Sequence, residues 1–455
     1  MFTEFQLQNF KPWKDTKKQR LAPLTVFFGS NSAGKSSLSQ FLLLLKQTVD
    51  SPDRQRVLHM GDRNSVTDLG TSHDMIYGHD ESRTLEFLLS WGLEKPLNIH
   101  DPVSDKNYQG NAIEFSSGIN SHEGRLGVET MKYSLHKDDE QILSAAMTID
   151  ENRKKYRLVT ENYQQVRNKG RGWPLPQPAK FYGFPDEAVA YYQNTGFLAD
   201  LALSLEQLFS RLYYVGPLRG YPERSYIWSG EQVEHVGWRG ERAVEAILAA
   251  RDRKISRGYK MAKQPFEKVV ARWLKQMGLI HAFEVRQIGE YRKEYEVLIH
   301  TRSRSSQVNL TDVGFGISQV LPIIVQSFYA PKGSTIIFEQ PEIHLHPRVQ
   351  ADLADLFIEG IHAREEGENR RNQFIVESHS EHFLRRLQRR IAEESVTPEE
   401  VAIYFCEPGN GGSSMMPLEV DAYGNISNWP EHFFGDETED LVAMTQAAMR
   451  RRSGK

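Results

Sequence analysis

The stretch Gly29-Ser30-Asn31-Ser32-Ala33-Gly34-Lys35-Ser36 constrains this chain more than any other. It has the form G-x-x-x-x-G-K-[ST]. An apolar run, Leu24-Thr25-Val26-Phe27-Phe28, precedes it, and a helical pattern through Leu38, Phe41, Leu42 and Leu45 follows. The glycines let backbone N–H groups turn inward around an anion, and the following helix aims its positive end at the same place. Lys35 is placed to reach the β- and γ-phosphates of a nucleotide, and the Ser36 hydroxyl to ligate Mg²⁺. Gly29, Ser30, Asn31, Ser32, Ala33, Gly34, Lys35, Ser36 and Ser37 are therefore the expected phosphate loop, with ATP and Mg²⁺ as expected ligands. The bland reading, a chance Gly/Ser turn before a helix, requires strand, loop, Lys-Ser pair and helix to fall in register by accident.

The totals bound the partners. The 455 residues carry a formal net charge of −4, which argues against a surface that coats nucleic acid generally while leaving local basic patches open. Cys406 is the single cysteine, so neither an intramolecular disulfide framework nor a cysteine-rich zinc site can form, and a reducing cytosol suits the chain. The opening MFTEFQLQNFKPWKD is unlike a signal peptide, and the apolar run Phe41 to Leu45 falls far short of the roughly 20 residues that span a bilayer. A soluble, cytoplasmic protein with no membrane partner is the expectation.

Hydrophobic periodicity divides the chain into three expected parts. Residues 1–84 hold strand-like alternation at Phe5 and Leu7, then the strand, loop and helix above. Residues 85–300 open with the alternating segments Leu85–Trp91, Ala112–Phe115, Met131–Leu135, Met147–Ile149 and Tyr156–Thr160, which predict an antiparallel meander. A helix over 186–211, a strand Leu212–Val215, two further helices and two strand-like pieces complete this part as an insertion. Residues 301–455 alternate helix and strand, with a helix from near Ser318 and strands at 335–338, 374–376 and 401–405. That alternation implies parallel strands joined by crossover helices. No sustained heptad occurs, so no long coiled-coil arm is expected.

The strand Thr335–Phe338 ends in Glu339-Gln340. A phosphate-loop enzyme needs a second strand that delivers an acid to the metal, and Glu339 is the expected metal-side carboxylate beside Ser36. The next residue usually polarises the attacking water. Gln340 is an amide; it can orient water but cannot accept its proton. Slow chemistry, or a base elsewhere among Glu342, His344 and His346, is the expectation. The competing reading makes Glu339, Glu342, His344 and His346 an independent metal cluster. Histidines at i, i+2 do not share a helix face, and Pro341 and Pro347 mark the segment as loop, so this reading is the weaker.

Phe374-Ile375-Val376-Glu377-Ser378-His379 is a strand ending in polar residues, with His379 placed to contact a γ-phosphate; alone, it would read as a solvated loop histidine. Gly314, Gly316 and Ser318 stand at a helix start and offer a second anion cradle. The plainer reading there is an ordinary helix start capped by Ser318. Two cradles in one chain suggest that two protomers sandwich the nucleotide.

These pieces, above all GSNSAGKSS, FEQPEIHLHP and ESHSEHF, resemble the ABC-type ATPase heads of the SMC, RecF and OLD-like group, and QLQNFKPWKD resembles their first strand and turn. DVGFGISQVLPII, EQPEIHLHPRVQADLADLF, VESHSEHFLRRLQRRIAE, YYVGPLRGYPERSY and the tail YGNISNWPEHFFGD are similar to a bacterial family of stand-alone ATPases labelled by a domain of unknown function. The resemblance implies an α/β ABC head with a RecA-like parallel-sheet lobe, an antiparallel β lobe and nucleotide-dependent head-to-head dimers. It places Walker A at Gly29–Ser37, the Walker B acid at Glu339, the catalytic-glutamate position at Gln340, the D-loop at His344–Pro347 and the switch histidine at His379. Gly314–Gln319 corresponds to the signature, which acts in trans but departs here from LSGGQ. The Q-loop has no firm position, His79-Asp80 being the nearest candidate. OLD-like relatives carry a TOPRIM nuclease with an Asp-x-Asp pair; none follows His379, so no intrinsic nuclease is expected.

Relatives of this group work in bacterial anti-phage systems, where an ATPase holds or releases a separate effector, commonly a nuclease. In ABC heads an amide at the position of Gln340 favours the closed, nucleotide-bound dimer, so the resemblance implies an ATP-gated homodimer that controls an effector protein. The alternative is a RecF-like ATPase that binds DNA through the basic clusters Lys11–Arg20, Arg251–Lys263, Arg385–Arg390 and Arg450–Lys455, each also readable as a solvated helix face or tail. A small-molecule phosphotransferase lacks an evident acceptor-binding base.

Overall fold

The computed structural model describes residues 1–122, 124–150, 155–170, 174–303, 305–430 and 437–452. The EHFFGD end of the tail motif and residues 453–455 of the last basic cluster lie outside these.

Short apolar strands without a polar face demand burial on both sides, and the chain meets that demand with a parallel sheet. Its strands are, in spatial order, Leu212–Val215, Thr335–Glu339, Gln373–Glu377, Leu24–Gly29 and Val401–Glu407, with Ser414–Pro417 added antiparallel at the edge. Successive side chains point to opposite faces. Val26, Phe28, Ile336, Phe338, Phe374 and Val376 join the core formed with helices Ala243–Ala249, Phe266–Gln276, Phe315–Tyr329, Pro347–His362 and Glu381–Ala392. Phe27, Ile337, Ile375 and Tyr404 join a second core, shared with helix Lys35–Asp50 and an antiparallel sheet.

That second sheet is the predicted meander: Leu85–Asp101, Lys106–His122, Arg125–Lys137, Glu140–Asp150 and Lys155–Glu161 pair in sequence order, and Phe2–Phe10 joins beside Leu85–Asp101, with the short strands Trp13–Asp15 and Gln19–Arg20 beyond it. Its strands run longer than the alternating segments of sequence. Beyond Trp91 the strand continues through the exposed residues Glu94, Lys95 and Pro96, which carry no hydrophobic signal. The helix expected over 186–211 is two, Asp186–Ala190 and Phe197–Ser210. The break falls at Asn194, whose buried side chain donates to Asp101 and to the Gln164 carbonyl and accepts from the Val166 amide. Those tertiary bonds override local helical preference. Among the described residues, no helix is long and apolar enough to cross a membrane.

The sheet order puts one strand, Gln373–Glu377, between the phosphate-loop strand and the acidic strand. All run parallel, so Gly29, Glu339 and Glu377 end at the same edge, with Glu339 directly opposite Glu377 in register. Open parallel sheets bind ligands outside the carboxyl ends of their strands.

Candidate nucleotide site

Two glycines give the loop its path. Gly29 has φ +141°, and a Cβ there would lie 2.0 Å from the Cys406 carbonyl oxygen of the neighbouring strand. Gly34 has φ +86°, with Pro12 Cγ 2.6 Å from where a Cβ would stand. Both positions exclude any other residue. The N-terminal turn clamps the loop from above: Trp13 Nε1 donates to Ser37 Oγ at 2.8 Å and to the Gly34 carbonyl at 3.2 Å. Ser30, Asn31 and Ser32 are left exposed around the mouth. Lys35 Nζ donates to the Gly29 and Ser30 carbonyls at 3.0 and 2.7 Å, holding the ammonium across the loop. Burial lowers its pKa, opposed by the charge of Glu377.

At the acidic edge, the structure gives Ser36 a neighbour that the sequence did not single out. Ser36 Oγ donates to Glu377 Oε1 at 3.0 Å. Glu339 accepts from the hydroxyl of Tyr214, on the strand beyond it. Glu377 is 3% exposed and its second oxygen has no hydrogen-bond partner. Burial, then the facing Glu339 carboxylate, push its pKa up to about 7. Burial also drives the Tyr214 phenol far above its usual range.

Gln340 follows with φ +44°, a left-handed conformation rare for a non-glycine residue and typical of constrained sites. Its amide N–H donates to the Glu377 carbonyl at 2.9 Å, and its side-chain Nε2 lies 3.4 Å from His379 Nε2. Burial, then the Lys35 charge, lower His379 to about 4, so the imidazole is neutral at pH 7 and one ring nitrogen is an acceptor. Glu342 turns inward: Oε1 accepts from the His379 backbone N–H, while Oε2 is buried without a partner and burial raises its pKa. Arg219 closes the floor. It is 4% exposed and donates through Nη2 to the carbonyls of Glu339 and Gln340 at 3.3 and 3.2 Å, with Nε and Nη1 unpartnered. Burial lowers its pKa to about 10, against the attraction of Glu342.

Tyr214, Arg219 and Glu377 escaped the sequence reading. The available signal was position: each sits at or just after the carboxyl end of a strand, where such sheets place their chemistry. Glu339, Glu342, His344 and His346 do not assemble as a metal cluster. Glu342 is committed to His379, and His346 caps helix Pro347–His362 by accepting from the Arg348 N–H. His344, at φ +62°, is exposed and packs edge-on against Phe315. His79 stacks on His73 beside Asp74, an exposed group with metal-ligand spacing, and Met75 of the same turn accepts from the Lys11 N–H.

The helix expected near Ser318 begins at Phe315, with Gly314 as an N-cap that supplies no side chain. Ser318 is therefore not the cap; its hydroxyl donates back to the Phe315 carbonyl at 2.7 Å and is buried. No acid occupies the first turn, and Gly314 is exposed. An uncapped, acid-free helix start presents positive potential to an anion.

Residues 24–385 match the family model described as "AAA domain, putative AbiEii toxin, Type IV TA system". The chain belongs to this AAA domain family. Residues 396–444 match a second model, "Protein of unknown function (DUF3696)". The AAA-family chain is also similar in fold to the SMC head domain from Thermotoga maritima, at 11% identity and a TM-score of 0.39 over 92% of this chain and 99% of that one. A Pyrococcus furiosus Smc head domain, bound to the C-terminal domain of ScpA, matches at 8% identity and a TM-score of 0.42 over 98% and 99%. No curated protein matches the chain.

ATP with Mg²⁺ is the general ligand of such ATPases, and the residues here fit it. Ser36 and the two carboxylates offer hard oxygen donors of the kind a divalent cation takes, and one Glu377 oxygen is uncommitted to a hydrogen bond.

The AAA-family chain spends much of its basic charge on itself. Lys18 pairs with Glu4 and Glu114, Arg253 with Glu365, and Arg257 with Glu359. In the cluster 385–390, Arg385 pairs with Glu381, Arg386 with Asp352 and Asp355, Arg389 with Glu393, and Arg390 with Asp355 and Glu393.

Proposed function

We propose that the chain is a slowly hydrolysing, ATP-gated switch that closes as a homodimer around nucleotide and so regulates a separate effector, a nuclease or toxin, in a cytoplasmic anti-phage system. One observation carries this reading: the amide of Gln340 stands 3.4 Å from a neutral His379, so neither of these two side chains offers a strong base for water activation. Lys35 and the loop amides bind the phosphates, and Ser36 with Glu339 and Glu377 would hold Mg²⁺, which when bound screens the phosphate charge. Gln340 orients a water without taking its proton, and neutral His379 meets the γ-phosphate region as a hydrogen-bond donor rather than as a charge. Binding energy, not turnover, then sets the state of the molecule.

Dimer closure is supported by the uncapped start of helix Phe315–Tyr329 and by the surface around it. Phe315 is exposed and packs between Tyr221 and His344 at ring-centroid distances of 5.4 Å each, an aromatic face suited to a second copy. The family description supports a toxin–antitoxin or defence setting. The ion pairing of all four arginines in the cluster 385–390 favours this reading over one based on duplex binding through that face.

Light scattering on the purified protein with and without ATP and Mg²⁺ is the direct test. A shift from monomer to dimer mass that Lys35→Ala abolishes is expected. A chain that retains ATP yet stays monomeric at saturation would overturn the switch.

A further inference from the structure

We infer that Glu377, not Glu339, is the first carboxylate of the cation site, and that Glu339 is the second acid behind it. The inference rests on the ATPase reading above and names the metal ligand within it.

Three independent features lead there. Topology places Gln373–Glu377 between the loop strand and the acidic strand, so its terminal carboxylate stands nearer the loop than any group on Thr335–Glu339 can in register. Contact agrees: Ser36 Oγ is 3.0 Å from Glu377 Oε1, while Glu339 is held by Tyr214 on the far side. The third feature is the bare oxygen. Glu377 is 3% exposed, and Oε2 makes no hydrogen bond of normal geometry, the Gln340 amide being the group that faces this carboxylate. A buried carboxylate oxygen without a partner costs stability that a bound ligand can recover. A hard divalent cation seated on the Ser36 hydroxyl would satisfy it, and the facing Glu339 would complete a charge-matched pair. A purely structural role, buttressing Ser36, would use Oε1 alone and leave Oε2 unexplained.

The experiment is calorimetric titration of the full chain with ATP, in EDTA and across a Mg²⁺ series, with Mn²⁺ electron paramagnetic resonance as a second readout. In the wild type Mg²⁺ should tighten ATP binding. Glu377→Gln should keep the EDTA affinity, which certifies its fold, and lose at least about tenfold of the Mg²⁺-dependent gain together with the bound Mn²⁺ signal. Glu339→Gln should lose a smaller part of both than Glu377→Gln does. Glu377→Asp, which withdraws the carboxylate by one methylene, should shift preference from Mg²⁺ toward the larger Mn²⁺. Unchanged Mg²⁺ dependence in Glu377→Gln, or an unchanged Mg²⁺/Mn²⁺ preference in Glu377→Asp, would overturn the assignment. Wild-type protein that binds no ATP with or without Mg²⁺ would instead remove the ATPase reading itself.

Discussion

The side-chain nitrogen of Gln340 stands 3.4 Å from Nε2 of His379, joining the ends of two parallel strands through an amide and a neutral imidazole. Neither group is a strong base at neutral pH. Replacing Gln340 by Glu keeps the size and restores a proton acceptor. Turnover at saturating Mg²⁺·ATP should rise by at least about tenfold, since a positioned general base contributes 10²–10⁴-fold. Phosphate release in single-turnover mode measures it. Equal or slower turnover in Gln340→Glu would show that the amide does not limit hydrolysis.

Gly29→Ala should abolish the folded site. At φ +141° and 2.0 Å from the Cys406 carbonyl, an added methyl must push apart two paired strands of the parallel sheet. Clash and strain together exceed about 3 kcal/mol. Little soluble protein, or a melting transition lowered by many degrees, is the expected result. Gly314→Ala is the contrast: nothing lies within 4 Å of its added Cβ, so melting should stay near the wild type.

The strand, glycine loop and helix of residues 24–50 were legible because they occupy one contiguous stretch, and the structure repeats that order. The meander was legible in number and direction because alternation marks half-buried strands, but its lengths were not, since exposed extensions such as Glu94–Pro96 leave no pattern. The site's interior was largely hidden. Ser36 and Glu377 are 341 residues apart, and only the strand order decides which acid reaches the hydroxyl. Arg219 follows a strand that pairs with Thr335–Glu339, a relation no local pattern records.

Cys406 offers a probe of that sheet. It is fully buried on the strand beside the loop, and burial pushes its thiol up to about 12. The thiolate is the reactive species, so alkylation at pH 8 should occur only through opening of the sheet. Iodoacetamide labelling, followed by mass spectrometry, should be slow in the native chain and rapid in denaturant. ATP with Mg²⁺ at a hundredfold excess over its dissociation constant should slow native labelling by about a hundredfold if the opened state binds no nucleotide. Labelling that ignores both denaturant and nucleotide would show that Cys406 is accessible from the native surface.

A buried carboxylate should weaken the protein wherever no cation is supplied to it. Burial, then Glu339, raise Glu377 from 4.5 to about 7, with Lys35, Ser36 and Gln340 facing it in partial compensation. The sign follows from linkage. Between the two pKa values the unfolded chain has released a proton that the folded chain still holds, so stability falls as pH rises from about 4.5 to 7 and stays reduced above it. The shift corresponds to roughly 3 kcal/mol. In EDTA, Glu377→Gln should therefore melt several degrees above the wild type at pH 8, and the gap should close toward pH 4.5. Mg²⁺·ATP should reverse the order at pH 8, because only the wild type gains a ligand for its bare oxygen. Thermal melts at the two pH values, with and without nucleotide, measure all four states. A mutant that melts below the wild type in EDTA at pH 8 would mean that the Ser36 contact outweighs the burial of the charge.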